Sequence, residues 1–187
     1  MALWIILGVV GFIIVVSIIY IIATYNSFVR MKNNIEESFS AMDIAMKKRY
    51  DLIPNLVSTI KGYAKHEKET LTAVIQARNS AIKATNIEEK TKAESALSGT
   101  LKTLFALAEN YPELKSNTNF SDLQTQLQAI ETEIANSRRY YNACVKSLNN
   151  KVQVFPSNII AKWFKIEKQK MFELDSEEER KNIKVEF

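Results

Sequence analysis

The single histidine of the chain opens the string His66-Glu67-Lys68-Glu69-Thr70. A zinc-protease helix begins the same way, but it needs a second imidazole four residues on, on the same helical face, and Thr70 stands there instead. With one histidine in the sequence, a two-histidine zinc site cannot be built within one chain. His66 is expected as a partly exposed helix residue. A di-iron bundle would need inward Glu residues with paired Glu-x-x-His motifs, and none occurs. Glu131 and Glu133 stand two apart, which on a helix turns them to different faces, so they are no natural carboxylate pair. Cys144 lacks a plausible base, and the chain has neither a glycine-rich phosphate loop nor a nucleophile elbow. The expectation is a protein that is not an enzyme and carries no cofactor. Catalysis by His66 with Glu67 remains a hypothesis that His66→Ala would test.

Polar side chains at or beside helical seams are the other candidates: Arg49, Asp51, Asn55, Arg138 and Asn142. Each has two readings, solvated helix surface or part of a buried polar layer that fixes helix register. Asn55, Arg138 and Asn142 form the candidate layer. Arg138 is the best of them, because it falls where the heptad of its helix expects an apolar side chain.

The elements that must position these residues are helices. Four glycines and three prolines in 187 residues, with abundant Ala, Leu, Ile, Lys, Glu and Gln, point to an all-helical chain. Ala2 to Ala23 carries no charged residue. Twenty-two residues at about 1.5 Å each give roughly 33 Å of helix, enough to cross a hydrocarbon core of about 30 Å. A signal peptide would need a basic start, a shorter apolar run and a small-residue cleavage site, and none of these is convincing. With no cysteine near the start, a lipid-anchored lipoprotein is excluded. Arg30 and Lys32 on the C-terminal side favour a short N-terminus outside and the remaining chain in the cytoplasm.

After this anchor, Phe28, Met31, Ile35, Phe39, Met42 and Met46 make one helical stripe, and nothing between Ala23 and Phe28 breaks a helix. The anchor is therefore expected to run straight into the first soluble helix as a rigid rod. At Pro54 the chain either turns back or one long helix kinks. The stripe resumes through Leu56, Val57, Ile60, Tyr63, Ala64, Leu71, Val74, Ile75 and Ile82. Thr85 or Asn86 can cap the next helix, whose stripe is Leu97, Leu101, Leu104, Ala108 and Tyr111, closed by Pro112. Lys115 to Asn119 reads as a polar loop. Leu123, Leu127, Ile130, Ile134, Tyr141, Val145, Leu148 and Val152 then approximate a heptad, the seam of a left-handed bundle, which ends at Phe155-Pro156.

Ser157 can cap a short segment to Ile166. Trp with Lys on a short apolar helix suits a membrane interface, which makes Ile159, Ile160, Lys162, Trp163, Phe164 and Lys165 candidate membrane-surface contacts. Closing the end of the bundle is the equal alternative. From Gln169 to Phe187, with the acidic run Glu177 to Glu179, an extended or partly disordered tail is expected. Lys and Arg exceed Asp and Glu by four, an excess that anionic lipid explains more economically than nucleic acid. The expected division is residues 1–24 as anchor, 25–156 as helical bundle, and 157–187 as amphipathic segment and tail.

Several strings, in order, resemble the bacterial LemA family: Tyr25-Asn26, Arg49-Tyr50-Asp51-Leu52-Ile53-Pro54-Asn55-Leu56-Val57, Tyr63-Ala64-Lys65-His66-Glu67, Tyr111-Pro112-Glu113-Leu114-Lys115-Ser116-Asn117, Phe120-Ser121-Asp122-Leu123-Gln124, Ile134-Ala135-Asn136-Ser137-Arg138-Arg139-Tyr140-Tyr141-Asn142 and Phe155-Pro156. The resemblance implies a single-pass protein of the bacterial inner membrane whose soluble domain is an antiparallel four-helix bundle, with Pro54 in a turn. It brings no catalytic residues. Lys165 departs from it, standing after Trp163-Phe164 where the family often has Gly-Phe. Relatives commonly occur beside membrane proteases or other envelope proteins. Two accounts of function follow. One is a membrane-anchored scaffold that self-associates as a homo-oligomer and organises envelope proteins. The other is a monomeric adaptor or regulatory subunit that binds a protease or other envelope enzyme.

Overall fold

The computed structural model describes residues 1–173, and helix is the regular structure found among them. In chain order these are α1 (Ala2–Tyr63), α2 (Lys68–Lys83), α3 (Ile87–Ala108), α4 (Pro112–Lys115), α5 (Thr118–Gln153) and α6 (Ser157–Trp163). The expected tail from Leu174 onward, with its acidic run, lies outside the described residues.

The apolar anchor and the first soluble stripe belong to one helix, as the unbroken sequence between them requires. Pro54 stands inside α1, which corrects the turn implied by resemblance. A proline in a helix lacks the N–H that would bond the carbonyl four residues earlier, and here that carbonyl belongs to Tyr50. Arg78 of α2 donates its Nε–H to the same oxygen at 2.7 Å, so the acceptor that Pro54 abandons is satisfied from a neighbouring helix. The real break comes later, at residues 64–67, where the stripe gave no warning. Ala64 is buried there, while Tyr111 Oη donates to the Glu67 carboxylate at 3.0 Å and Asn117 Nδ2 donates to Tyr63 Oη at 2.9 Å. Long-range partners shape this corner, and local periodicity cannot show them.

Other boundaries follow capping chemistry. Asn86 caps α3, its Oδ1 accepting from Glu89 N at 2.9 Å. Asn117 does the same for the start of α5, accepting from Phe120 N at 3.0 Å, so the expected polar loop shrinks to Ser116 and Asn117 between α4 and α5. Ser157 makes no cap. Its hydroxyl donates backward to Lys151 O at 2.6 Å and Val154 O at 2.9 Å, fastening α6 to the end of α5. The C-terminus of α6 is a Schellman motif: Ile166 N donates to Ala161 O at 2.8 Å and Lys165 N to Lys162 O at 3.3 Å, with Lys165 in the left-handed region at φ 52°. That position favours glycine.

The chain divides into two compact units. Among the described residues, one comprises Met1–Ser40 with Tyr140–Met171, the other Ala41–Arg139 with Phe172 and Glu173. In the first, hereafter the anchor unit, Phe28, Ile35, Val145, Leu148, Ile160 and Ile166 are buried. Phe39 and Tyr141 meet edge-on at 5.9 Å, and Lys151 Nζ sits 5.4 Å from the Phe28 ring centre. Residues 166–171 are tied to α5 through Asn149, which donates to Gln169 O and accepts from Gln169 N, both at 2.9 Å, and through Tyr141 Oη, which donates to Lys170 O at 3.0 Å. In the second, the ionic unit, Met42, Met46, Ile53, Leu56, Ile60, Val74, Leu97, Leu104 and Leu114 are fully buried. Apart from Ile53 and Leu114, these positions belong to the apolar stripes read from the sequence, while Tyr63, Ile75 and Ile82 of the same stripes stay exposed.

Candidate functional site

The stripe of α1 does not stay apolar. Steps of three and four from Met42 through Met46 reach Arg49, then Ile53, and Arg49 is 1% exposed. The stripe of α3, extended back three residues from Leu97, reaches Glu94, 3% exposed. Two helices thus each place one charge in the core, of opposite sign. An ion pair taken from water needs partners for its remaining donors and acceptors. Here Arg49 Nη2 donates to Glu94 Oε2, Nη1 donates to Glu131 Oε2 of α5, and Nη1 also reaches Ser98 Oγ at 3.1 Å. Tyr50 Oη donates to the other Glu94 oxygen. Burial drives the Glu94 carboxyl above its ordinary value, against the pull of Arg49 and of the Tyr50 hydroxyl. Burial also raises the Tyr50 phenol, helped by its hydrogen bond to Glu94. Outer pairs flank the layer: Lys48 with Glu133 at 2.8 Å, and Lys90 with Asp43.

The two terminal nitrogens of the Arg49 guanidinium are engaged by carboxylates while its buried Nε has no partner, and the contacts tie α1, α3 and α5 together. Among the described residues, no three His, Cys, Asp or Glu side chains gather as a metal site. His66 is exposed at the corner after α1. A groove of about 430 Å³ lies beside the layer, lined by Leu101, Phe105 and Leu127 together with Arg49, Gln128 and Glu131.

The buried layer sits elsewhere than on the residues chosen from sequence. Asn55 is exposed, and Arg138 and Asn142 are half-buried. On α1, Ile53, Leu56, Val57 and Ile60 occupy the inward positions, which turns Asn55 out. A long guanidinium side chain at a seam can cover it with its stem while the head stays hydrated, so Arg138 needs no buried counter-charge. Arg49 was among the polar seam residues, but Glu94 was missed, although its place three residues before Leu97 on the stripe was a readable signal. Glu131 and Glu133 serve different partners, Arg49 and Lys48, which are neighbours on α1.

The candidate membrane-surface residues also separate. Ile159, Lys162, Trp163, Phe164 and Lys165 are exposed, but Ile160 is buried with Ala161. Ile159 and Ile160 are successive on α6, about 100° apart around its axis, and Ile160 belongs to the core of the anchor unit. The apolar part of α1 is exposed and long enough to cross a membrane.

Comparison with known proteins matches residues 38–187 to the LemA family. Protein LemA of Metamycoplasma hominis is 29% identical over 157 residues, covering 80% of this chain and 70% of that protein. Magnetosome proteins MamQ 2 and MamQ 1 of Paramagnetospirillum magneticum are each 25% identical over 177 residues, covering 79% of this chain and 65% of their own length. With such bacterial relatives, one apolar N-terminal helix fits a single-pass membrane protein. The family match runs over Arg49, Glu94 and Glu131 together and over most of the sequence, and on that basis this chain belongs to the LemA family.

Proposed function

We propose that the protein is a non-enzymatic, membrane-anchored scaffold that self-associates and organises other membrane or envelope proteins. The observation that carries this reading is the continuity of α1, one helix from Ala2 to Tyr63, whose soluble part also supplies Arg49 to the ionic layer. A layer that fixes register without chemistry suits a part whose job is to hold shape. The MamQ relatives are magnetosome proteins by name.

In this reading the helices pack as an antiparallel four-helix bundle. Supporting pairs come from the ionic unit. Arg49 meets Glu131 while Tyr63, further along α1, meets Asn117, just before α5, as antiparallel neighbours would. Arg49 meets Glu94 while Glu67 meets Tyr111, as parallel α1 and α3 would. The anchor lies in the inner membrane with the helical domain on the cytoplasmic side, the side that Arg30 and Lys32 favour. Exposed Ile44, Ile75 and Ile82 are faces through which copies could associate.

The test is particle mass and shape of the full chain in nanodiscs and mild detergent, by mass photometry and negative-stain electron microscopy. Discrete particles at a multiple of the 21.4 kDa chain are expected. A uniform population of monomers removes self-association and favours the monomeric adaptor, for which the groove beside Leu101, Phe105 and Leu127 is the specific observation. An adaptor should co-purify with one dominant partner, such as a membrane protease, in fixed ratio.

A further inference from the structure

The anchor unit exposes large apolar side chains outside its apolar N-terminal stretch. Val154, Phe155, Ile159 and Trp163 are 58, 74, 58 and 69% exposed. Ile159 and Trp163 stand four residues apart on one face of α6, and Phe155 lies in the turn before it. They are not on a loose end. Ser157 is bonded back to Lys151 and Val154, Ile160, Ala161 and Ile166 are buried beneath the segment, and the Asn149–Gln169 and Tyr141–Lys170 bonds secure the chain that follows. The unit therefore holds this apolar face in place.

Its height is also fixed. The Phe164 ring lies 4.6 Å from the Tyr25 ring, and Trp163 lies 5.8 Å from Phe164. Tyr25 follows Ala23, the last residue of the apolar stretch, by two residues, about 3 Å along the helix axis. The exposed face of α6 is thus continuous with the surface that α1 offers to lipid, at the depth where hydrocarbon gives way to headgroups. Aromatic rings with a polar edge and lysines with long stems are the side chains that this layer favours. Exposed Lys162, Lys165 and Lys168 stand beside the rings.

We infer that α6 and the turn before it lie in the interfacial layer of the membrane that α1 crosses. Phe155, Ile159 and Trp163 enter the boundary with the acyl chains, and the lysines face lipid phosphates. The membrane is then gripped twice, by a spanning helix and by a fixed interfacial foot, which sets the tilt and depth of the anchor. This rests on the spanning role of α1 and is independent of self-association.

Trp163 and Trp4 are the two tryptophans, and each can be made the sole reporter. The full chain carrying Trp4→Phe is reconstituted into phosphatidylcholine–phosphatidylglycerol vesicles whose acyl chains are brominated at a shallow or a deep position. Trp163 emission should be quenched about twofold by the shallow label and less by the deep one, with shielding from aqueous acrylamide. Ile159→Asp should weaken the quenching, while Ile44→Asp in the ionic unit should leave it intact. Lys162→Gln with Lys165→Gln should reduce its dependence on phosphatidylglycerol. Trp163 that neither brominated lipid quenches overturns the inference, whether water or a second copy of the chain surrounds it. The Trp163→Phe chain, reporting through Trp4 near the other end of the apolar stretch, distinguishes the two failures: quenching of Trp4 by the shallow label without quenching of Trp163 leaves the anchor in place and removes the foot alone.

Discussion

The two units solve opposite problems. The ionic unit puts a charge inside, Arg49, and surrounds it with two carboxylates and a hydroxyl. The anchor unit has a core of Phe28, Ile35, Val145 and Leu148, and puts Phe155, Ile159 and Trp163 outside. Each arrangement is costly in the wrong solvent. A buried charge needs counter-charges and hydrogen-bond partners, which Arg49 has at both terminal nitrogens while its buried Nε has none, and an exposed apolar face of this kind is at rest only against an apolar neighbour. The contrast teaches that polarity in this chain follows surroundings rather than position along a helix, since α1 and α5 contribute to both units.

The comparison breaks most sharply at Arg49. Arg49→Met strands Glu94 in the core, and a loss of about 3–5 kcal/mol is expected, read from chemical denaturation of the detergent-solubilised chain by circular dichroism. Combining it with Glu94→Leu should recover most of that loss, because two apolar side chains replace two charges. If Arg49→Met cost no more than a surface change, the ionic layer would be ornament and register would have to come from apolar packing.

Tyr50→Phe is the next largest. It removes a donor from a buried carboxylate, at about 1–3 kcal/mol near neutral pH. It should also flatten the alkaline limb of stability. The folded phenol is held above its ordinary value, so above about pH 10 the unfolded chain has released a proton that the folded chain still holds. The unfolded state then binds fewer protons, and stability falls as pH rises through that range. The stabilisation is whole below the unfolded value, and the Tyr50→Phe chain, which has no phenol there to titrate, lacks this dependence. Glu94 acts in the same direction at acidic pH, its raised carboxyl favouring the fold most below the ordinary carboxylate range.

The stripes, the Asn86 cap and the continuity of α1 follow from local pattern, and the core took most stripe positions but left Tyr63, Ile75 and Ile82 exposed. Arg49 and Glu94 were visible as charges on stripes, but their pairing joins positions 45 apart, and no local signal couples them. The corner at residues 64–67 depends on Tyr111 and Asn117, again remote in sequence. Ile160 was misplaced because composition marks a segment as interfacial without saying which of its residues faces inward.

Pro54 gives a smaller and more local test within the ionic unit. Arg78→Met should cost about 1 kcal/mol by leaving Tyr50 O without its donor. In a Pro54→Ala background, the alanine N–H can reach that carbonyl along the helix, and the same substitution should cost only a few tenths of a kcal/mol. Equal losses in the two backgrounds would mean that Arg78 acts through something other than the acceptor freed by proline.

The smallest effect returns to the anchor unit, and it is a gain. Lys165 closes the Schellman motif of α6 with φ 52°, a conformation in which a Cβ crowds the following carbonyl and which glycine adopts freely. Lys165→Gly should therefore stabilise the segment by roughly 0.5–1 kcal/mol, seen as slower hydrogen exchange at Ile166 N, the donor to Ala161 O. Lys165→Ala removes the same charge while keeping the Cβ, and it should gain nothing. A gain shared by both would trace to charge instead of backbone. A gain confined to glycine would show that this position gives up local stability to keep a lysine beside Trp163, as a lipid-facing segment would and a bundle end exposed to water would have no reason to.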